Sequence, residues 1–393
     1  MINNNSIRNK LAEIAKIIFE EDFSELRNCG LFDGISGIAL FCFLYYKETG
    51  KREYWDKGLS LINKGIEIAG ESSITSICSG LCGLAWTCRF LNERNILDND
   101  EIASFDEADD LLYRIMIVEL SQNSIDFLHS SVGKAIYFAD RLKNEKYLRD
   151  CVTMLQRLSV KDEHGRKWIF SNKDYPDSKT TNLSLSHGMS SIVILLSKIY
   201  LLLGGDNEYI LPTIKESVTF LTSQRYSETD DYRSLFPSLE KKIDYKRHSR
   251  MGWCYGDLGV ALALYHAANA LSDQALKQYS IDCFLHSSQR KDLRLDSVYD
   301  CGLCHGTAGI ALMFLKMYKN TGIEYFKNVY EFWFNKTLSM ASYEDGLAGY
   351  KTRMAYEDIN DHTLLTGIAG IGLALLSLIS KEDLFWDECF LLS

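Results

Sequence analysis

A seven-fold internal repeat constrains this chain more than any other feature. Seven times, a turn of small residues leads into an apolar stretch with helical spacing. The turns are Gly34-Ile-Ser-Gly37, Gly80-Leu-Cys-Gly83, Ser130-Ser-Val-Gly133, Gly188-Met-Ser-Ser191, Gly256-Asp-Leu-Gly259, Gly306-Thr-Ala-Gly309 and Gly367-Ile-Ala-Gly370. Their first positions lie 46, 50, 58, 68, 50 and 61 residues apart, enough for two helices per repeat. The stretch after each turn is apolar nearly all round, as a buried inner helix must be. The segments before the turns mix charge with helical periodicity, as at Tyr54–Ala69, Asp106–Ser121 and Gln274–Leu285, and suit an outer layer. Glycine at the helix entries permits positive φ and close backbone approach. The repeat therefore predicts an all-α fold, an α/α toroid (double α-barrel) of seven helical hairpins and about fourteen helices.

A closed ring has no natural break, so the expectation is one domain over residues 1–393. With only 3 prolines in 393 residues, long helices meet few breakers. The longest interval, between the fourth and fifth turns, holds Gly204-Gly205-Asp206, Pro212, Phe236-Pro237-Ser238 and the basic run from Lys241 to His248. It reads as an extended loop or small insertion at about 204–249, either lining an active-site entrance or simply solvated.

Apolar residues at 46% and charged residues at 24% fit a soluble globular protein with a large core. The net charge of −10 gives no general attraction to nucleic acid or anionic lipid. The start, Met1-Ile-Asn-Asn-Asn-Ser, has no basic stretch followed by an apolar one, and no apolar run reaches the ~18 residues of a membrane span. Eleven cysteines, odd in number and irregular in spacing, favour reduced thiols in a cytoplasm, some of them ligands, over a disulfide framework.

Aligning the seven turns on their first small residue exposes two chemical slots. One place earlier stand Asp33, Ser79, His129, His187, Tyr255, His305 and Thr366, mostly polar or ionisable although they adjoin the most apolar helices. In superposed repeats these side chains ring one mouth of the toroid, where a site is expected. Two places earlier, consecutive repeats carry Cys254 and Cys304, with His305 beside the second. Two thiolates and an imidazole suit zinc, and a fourth position left open describes a catalytic site. The rival reading is three satisfied core residues. Cys301 and Cys304 also form a C-x-x-C pair, but no βαβ pattern surrounds it as a redox motif would require. Cys78 shares the ligand slot in the second repeat and reads as a small buried hydrophobe.

These residues resemble the lanthionine synthetase C family, cyclases that install thioether rings in lantibiotic-type peptides. Trp253-Cys-Tyr-Gly256 and Cys304-His-Gly306 match its two zinc motifs, Ser186-His-Gly188 matches its catalytic histidine motif, and the seven turns match its toroid. The resemblance implies zinc on Cys254, Cys304 and His305, with a peptide cysteine as fourth ligand, and His187 as acid/base. It implies active-site roles for Arg250 and, more loosely, for Asp126, where Ser130 replaces the expected glycine. Tyr255 is either a hydrogen-bonding neighbour of the ion or an aromatic packing residue. His129 is a rival acid/base that the family pattern does not supply. Arg250 has a second reading as a surface charge, Asp126 as a helix cap, and Asp257 as a structural acceptor of orphan amides. His187 heads a helix, which is expected to depress its imidazolium pKa. Arg250 would stabilise enolate charge or hold Asp126.

The activity implied is zinc-dependent addition of peptide cysteine thiols to dehydroalanine or dehydrobutyrine in a dehydrated precursor peptide. The enzyme would stand alone, working with a separate dehydratase and an exporter at the cytoplasmic face of the membrane without spanning it. A second reading is a LanC-like protein that binds or adds glutathione, or acts as a scaffold. A third, a toroidal carbohydrate enzyme, lacks two obvious catalytic carboxylates.

Overall fold

The computed structural model describes residues 3–98, 105–170, 180–205, 209–227, 233–240 and 248–393. These divide into two compact units, one built from Met1–Asp109 with Val298–Ser393 and the other from Asp110–Ser297. Among the described residues there are fourteen α-helices, as the repeat count requires.

In the first unit, helix Ile35–Thr49 buries every residue from Ile35 to Tyr45, which makes it an inner helix. Its partner Arg52–Glu71 buries only Tyr54, Trp55, Gly58, Leu61, Ile62 and Gly65. That is a single stripe of i, i+3 and i+4 positions, the mark of an outer helix with one face in solvent. Thr307–Thr321 and Glu324–Ser339 repeat the arrangement. In the second unit, Met189–Leu202 and Asp257–Leu271 are buried nearly throughout, and Glu145–Leu158 buries only Leu148, Cys151, Val152 and Leu155. The three outer segments expected from periodicity appear as helices Arg52–Glu71, Asp106–Ser121 and Gln274–Ser287.

Three features depart from the sequence reading. The inner helix of the third repeat, Ser131–Tyr137, widens into a π-turn at Phe138–Leu142. The interval 204–249 is not loop throughout, because helix Ile210–Ser223 lies within it as the outer helix of the fourth repeat. Pro212 sits in the first turn of that helix, where a missing N–H leaves no bond unmade. Residues 206–208, 228–232 and 241–247, the last containing most of the basic run, lie outside the described residues. Two small antiparallel hairpins, Val160–Asp162 with Gly165–Lys167 and Thr352–Met354 with Glu357–Ile359, add a little strand to the helical frame.

The repeated glycines serve mainly close approach. A Cβ at Gly37, Gly83, Gly309 or Gly370 would stand 2.1, 2.2, 1.9 or 2.0 Å from the carbonyl oxygen six residues earlier, on Leu31, Ile77, Leu303 or Leu364. These four inner helices thus start by resting on the backbone of their own entry loops. Only the Gly256 turn also uses the left-handed region, at φ 96°, and a Cβ there would meet the Arg250 carbonyl at 2.0 Å. Alanine normally improves a helix by about 1 kcal/mol over glycine. At Gly309 the clash is with main chain, which no rotamer change relieves, so Gly309→Ala is expected to lower stability by about 1–3 kcal/mol. Thermal unfolding checks this, and an unchanged or raised Tm would refute the close-approach account.

Backbone hydrogen bonds lace neighbouring entry loops together. In the first unit, Cys304 N donates to Leu365 O at 2.9 Å, Leu365 N to Phe32 O at 2.8 Å, and Phe32 N to Cys78 O at 3.0 Å. The seventh repeat therefore joins the first, as ring closure demands. In the second unit, Leu185 N donates to Cys254 O at 3.0 Å, linking the fourth and fifth repeats. No helix among the described residues is long and apolar enough to cross a membrane.

Candidate active site and metal ligands

The second unit gathers His129, His187 and Tyr255, three consecutive members of the polar slot. The His129 and His187 rings stack at 5.6 Å and 15°, and His187 lies 6.1 Å from the Tyr255 ring. Asp126 organises them. Its Oδ1 accepts the His129 amide at 2.8 Å and its Oδ2 meets His187 Nδ1 at 2.6 Å. Asp126 therefore caps no helix, and its side chain serves instead as a turn acceptor and a partner of the imidazole. Ser130 makes the substitution for glycine workable, because its hydroxyl accepts the Asp126 amide at 2.8 Å and closes the turn.

This pairing reverses the expected sign at His187. Burial is the largest single influence and pushes the imidazolium pKa down. The Asp126 hydrogen bond and charge, with the Cys254 charge, outweigh it, so the pKa is raised above 6.5. The helix entry was expected to depress it; a carboxylate in direct contact is stronger than a helix terminus. Burial raises the pKa of Tyr255, whose hydroxyl accepts a long 3.5 Å contact from Asn182 Nδ2.

Arg250 is half-buried and makes no hydrogen bond or ion pair with Asp126 among the described residues. The loop that carries it is instead anchored by residues the sequence reading passed over. Arg290, 3% exposed, donates to Asp257 Oδ2 at 2.9 Å, Asp296 Oδ1 at 3.0 Å and the Ser249 carbonyl at 2.6 Å. Asp257 Oδ1 accepts the amides of Leu235 and Phe236, both at 2.9 Å, so it is structural, but toward a neighbouring loop and not the orphan amides of its own helix. A buried guanidinium with two carboxylates fixes the turn on both sides of Arg250 and Cys254.

In the first unit, His305 places Nε2 3.1 Å from Asp300 Oδ2. Asp300 is held in turn by the amides of Gly302 and Arg353, each at 3.1 Å. A carboxylate on one ring nitrogen is the usual support for an imidazole that ligates a metal through the other. Cys254 belongs to the second unit, Cys304 and His305 to the first; two sulfurs with one backed imidazole are the donor types that zinc favours. Cys301 does not compete. Its thiol is buried, directed at the Thr337 carbonyl, and pushed up to about 12 by burial, the environment of an inert core thiol and not of a reactive one. Cys78 is 2% exposed, as a small core residue should be.

The family model for lanthionine synthetase C-like proteins matches residues 25–391. The chain belongs to that family. It is 23% identical over 339 residues to glutathione S-transferase LANCL1 of Danio rerio, covering 80% of this chain and 76% of that protein. Its structure matches a nisin cyclase with a TM-score of 0.75 at 19% identity, covering 99% of this chain and 98% of the other. The match makes the fold an α/α toroid, in agreement with the repeat. A second ligand group, Asp126, His129 and His187, brings its three donor atoms within 4.8 Å of one another in the second unit of this lanthionine synthetase C-like protein.

Proposed function

We propose that this protein is a zinc-dependent cyclase that forms lanthionine and methyllanthionine. It adds peptide cysteine thiols to dehydroalanine or dehydrobutyrine in a dehydrated precursor peptide. The observation that carries the reading is the 2.6 Å Asp126–His187 pair, in a member of this family that also has the Cys254, Cys304 and His305 donor set. Those three residues would hold the ion, which when bound lowers the pKa of a substrate thiol from ~8.5 and keeps it as the nucleophilic thiolate.

The chain's own residues then manage protons and charge. Thiol addition at the β-carbon leaves an enolate that needs a proton at Cα. His187, with its raised pKa, is an imidazolium in a larger share of molecules at neutral pH and donates that proton. Asp126 stabilises the imidazolium and fixes the ring, so a proton taken up from the incoming thiol is retained until the enolate forms. Arg250 offers permanent positive charge to the enolate oxygen, and Tyr255 offers a neutral hydroxyl beside His187. The dehydrated residues require a dehydratase acting first. With an exporter it is the proposed partner, and the cytoplasm, at the inner membrane face, is the proposed location.

The likeness to a protein named glutathione S-transferase favours a second reading, in which glutathione is the thiol. One experiment separates them. A dehydrated peptide with an internal cysteine is expected to lose its free thiol at unchanged mass. Gain of one glutathione mass, with the internal thiol intact, would replace the cyclase by the transferase, and no change in either measure would remove both.

A further inference from the structure

One imidazole of the polar slot has no part in the chemistry above. His129 occupies in the third repeat the position that His187 occupies in the fourth, and it is exposed. Its ring stacks on His187 at 5.6 Å, and its amide is tied to the same carboxylate that holds His187. Asp126, His129 and His187 thereby bring a carboxylate oxygen and two imidazole nitrogens within 4.8 Å of one another.

Two imidazoles and a carboxylate are a donor set for first-row divalent cations. Bonds of about 2.0–2.1 Å to nitrogen and oxygen place tetrahedral ligand atoms about 3.4 Å apart. Small side-chain rotations close the remaining distance, and the His129 side chain lies in reach of solvent. We propose that Asp126, His129 and His187 form a second cation site, distinct from the cysteine-containing donor set, that takes a first-row divalent ion such as zinc and inhibits the enzyme.

Two physical consequences follow from the donors. The site has no sulfur, and an ion there must displace the Asp126–His187 hydrogen bond, so it fills after the cysteine-containing set and more weakly. A His187 nitrogen engaged by metal also cannot deliver a proton. Inhibition rests on the cyclase reading above; binding of the ion does not.

Cobalt(II) titration of the full-length, metal-free protein reads the two sites separately. The first equivalent is expected to bring thiolate-to-cobalt charge-transfer absorption, and a later event d–d absorption without further charge transfer. In His129→Ala the later event should weaken at least about tenfold, since loss of even a supporting residue commonly costs 10–100-fold. The first event should stay intact, which also shows that the variant folds. A single binding event in the wild type, or a later event of equal affinity in His129→Ala, would overturn the site. With zinc, the ratio of cyclisation rates at one equivalent and at excess should fall at least about tenfold for the wild type and stay near one for His129→Ala. Equal ratios in the two proteins would overturn the inhibition. If the dehydrated peptide is not a substrate at all, the cobalt result still decides the binding site, so failure of the cyclase reading is seen as such.

Discussion

Replacing Cys304 by alanine is expected to remove stoichiometric zinc and to reduce cyclisation at least about 100-fold. Two effects set the size. At pH 7 a free thiol with pKa ~8.5 is only about 3% thiolate, so losing the ion costs roughly 30-fold in nucleophile alone. The loss of fixed position next to the acceptor adds to this, and positioning is commonly the larger contribution. Cys301→Ala is the matched control. That thiol is buried against Thr337 O with its pKa pushed up to about 12, so removing it should leave zinc content unchanged and cost only stability. Metal analysis of the two purified variants, with far-UV circular dichroism to show that both fold, makes the comparison. Equal zinc in Cys304→Ala and wild type would sink the ligand assignment, and loss of zinc only in Cys301→Ala would move it by three residues.

The difference between these two cysteines shows what was readable from sequence. Both precede Gly306 in the same loop, and composition cannot separate them. Repeat register can, because only Cys304 shares a slot with Cys254. The same register put His129, His187 and Tyr255 in one slot, and the structure gathers those three rings; the alternation of apolar and amphipathic stretches located inner and outer helices. These are periodic signals, and a repeat multiplies them seven times. What escaped were interactions that occur once. Arg290 and Asp296 carry no repeat signal and drew no reading, yet both are buried and hold the loop carrying Arg250 and Cys254. Asp300 stands one residue before Cys301 with nothing in the sequence to show that it supports His305. The raised pKa of His187 escaped for a related reason. The helix entry is visible as a local pattern, whereas the Asp126 carboxylate that overrides it comes from 61 residues away. Helix Ile210–Ser223 was lost among glycines, prolines and charges that resemble loop, although its single proline falls where a helix tolerates one.

His187→Asn is expected to lower the cyclisation rate by about 10²–10⁴-fold, the usual worth of a positioned acid/base, with zinc content unchanged. The pH dependence distinguishes a proton donor from a residue that merely shapes the site. In the wild type the Asp126 contact raises the imidazolium pKa above its ordinary value, so the protonated form persists to higher pH. If that form protonates the enolate, activity is present below the raised pKa and falls as pH rises through it. Asp126→Asn removes the negative charge while keeping a hydrogen-bonding group of the same shape. Burial, the largest influence on His187, then acts without its counterweight and drives the pKa down. The alkaline limb of the rate profile should therefore move to lower pH in Asp126→Asn, and the His187 ring signal in NMR should titrate at the same lower pH. A limb that stays in place while the NMR titration moves would mean that another group supplies the proton. His129, stacked 5.6 Å away, would be the first to test, and His129→Ala would then take over the rate loss expected here of His187→Asn.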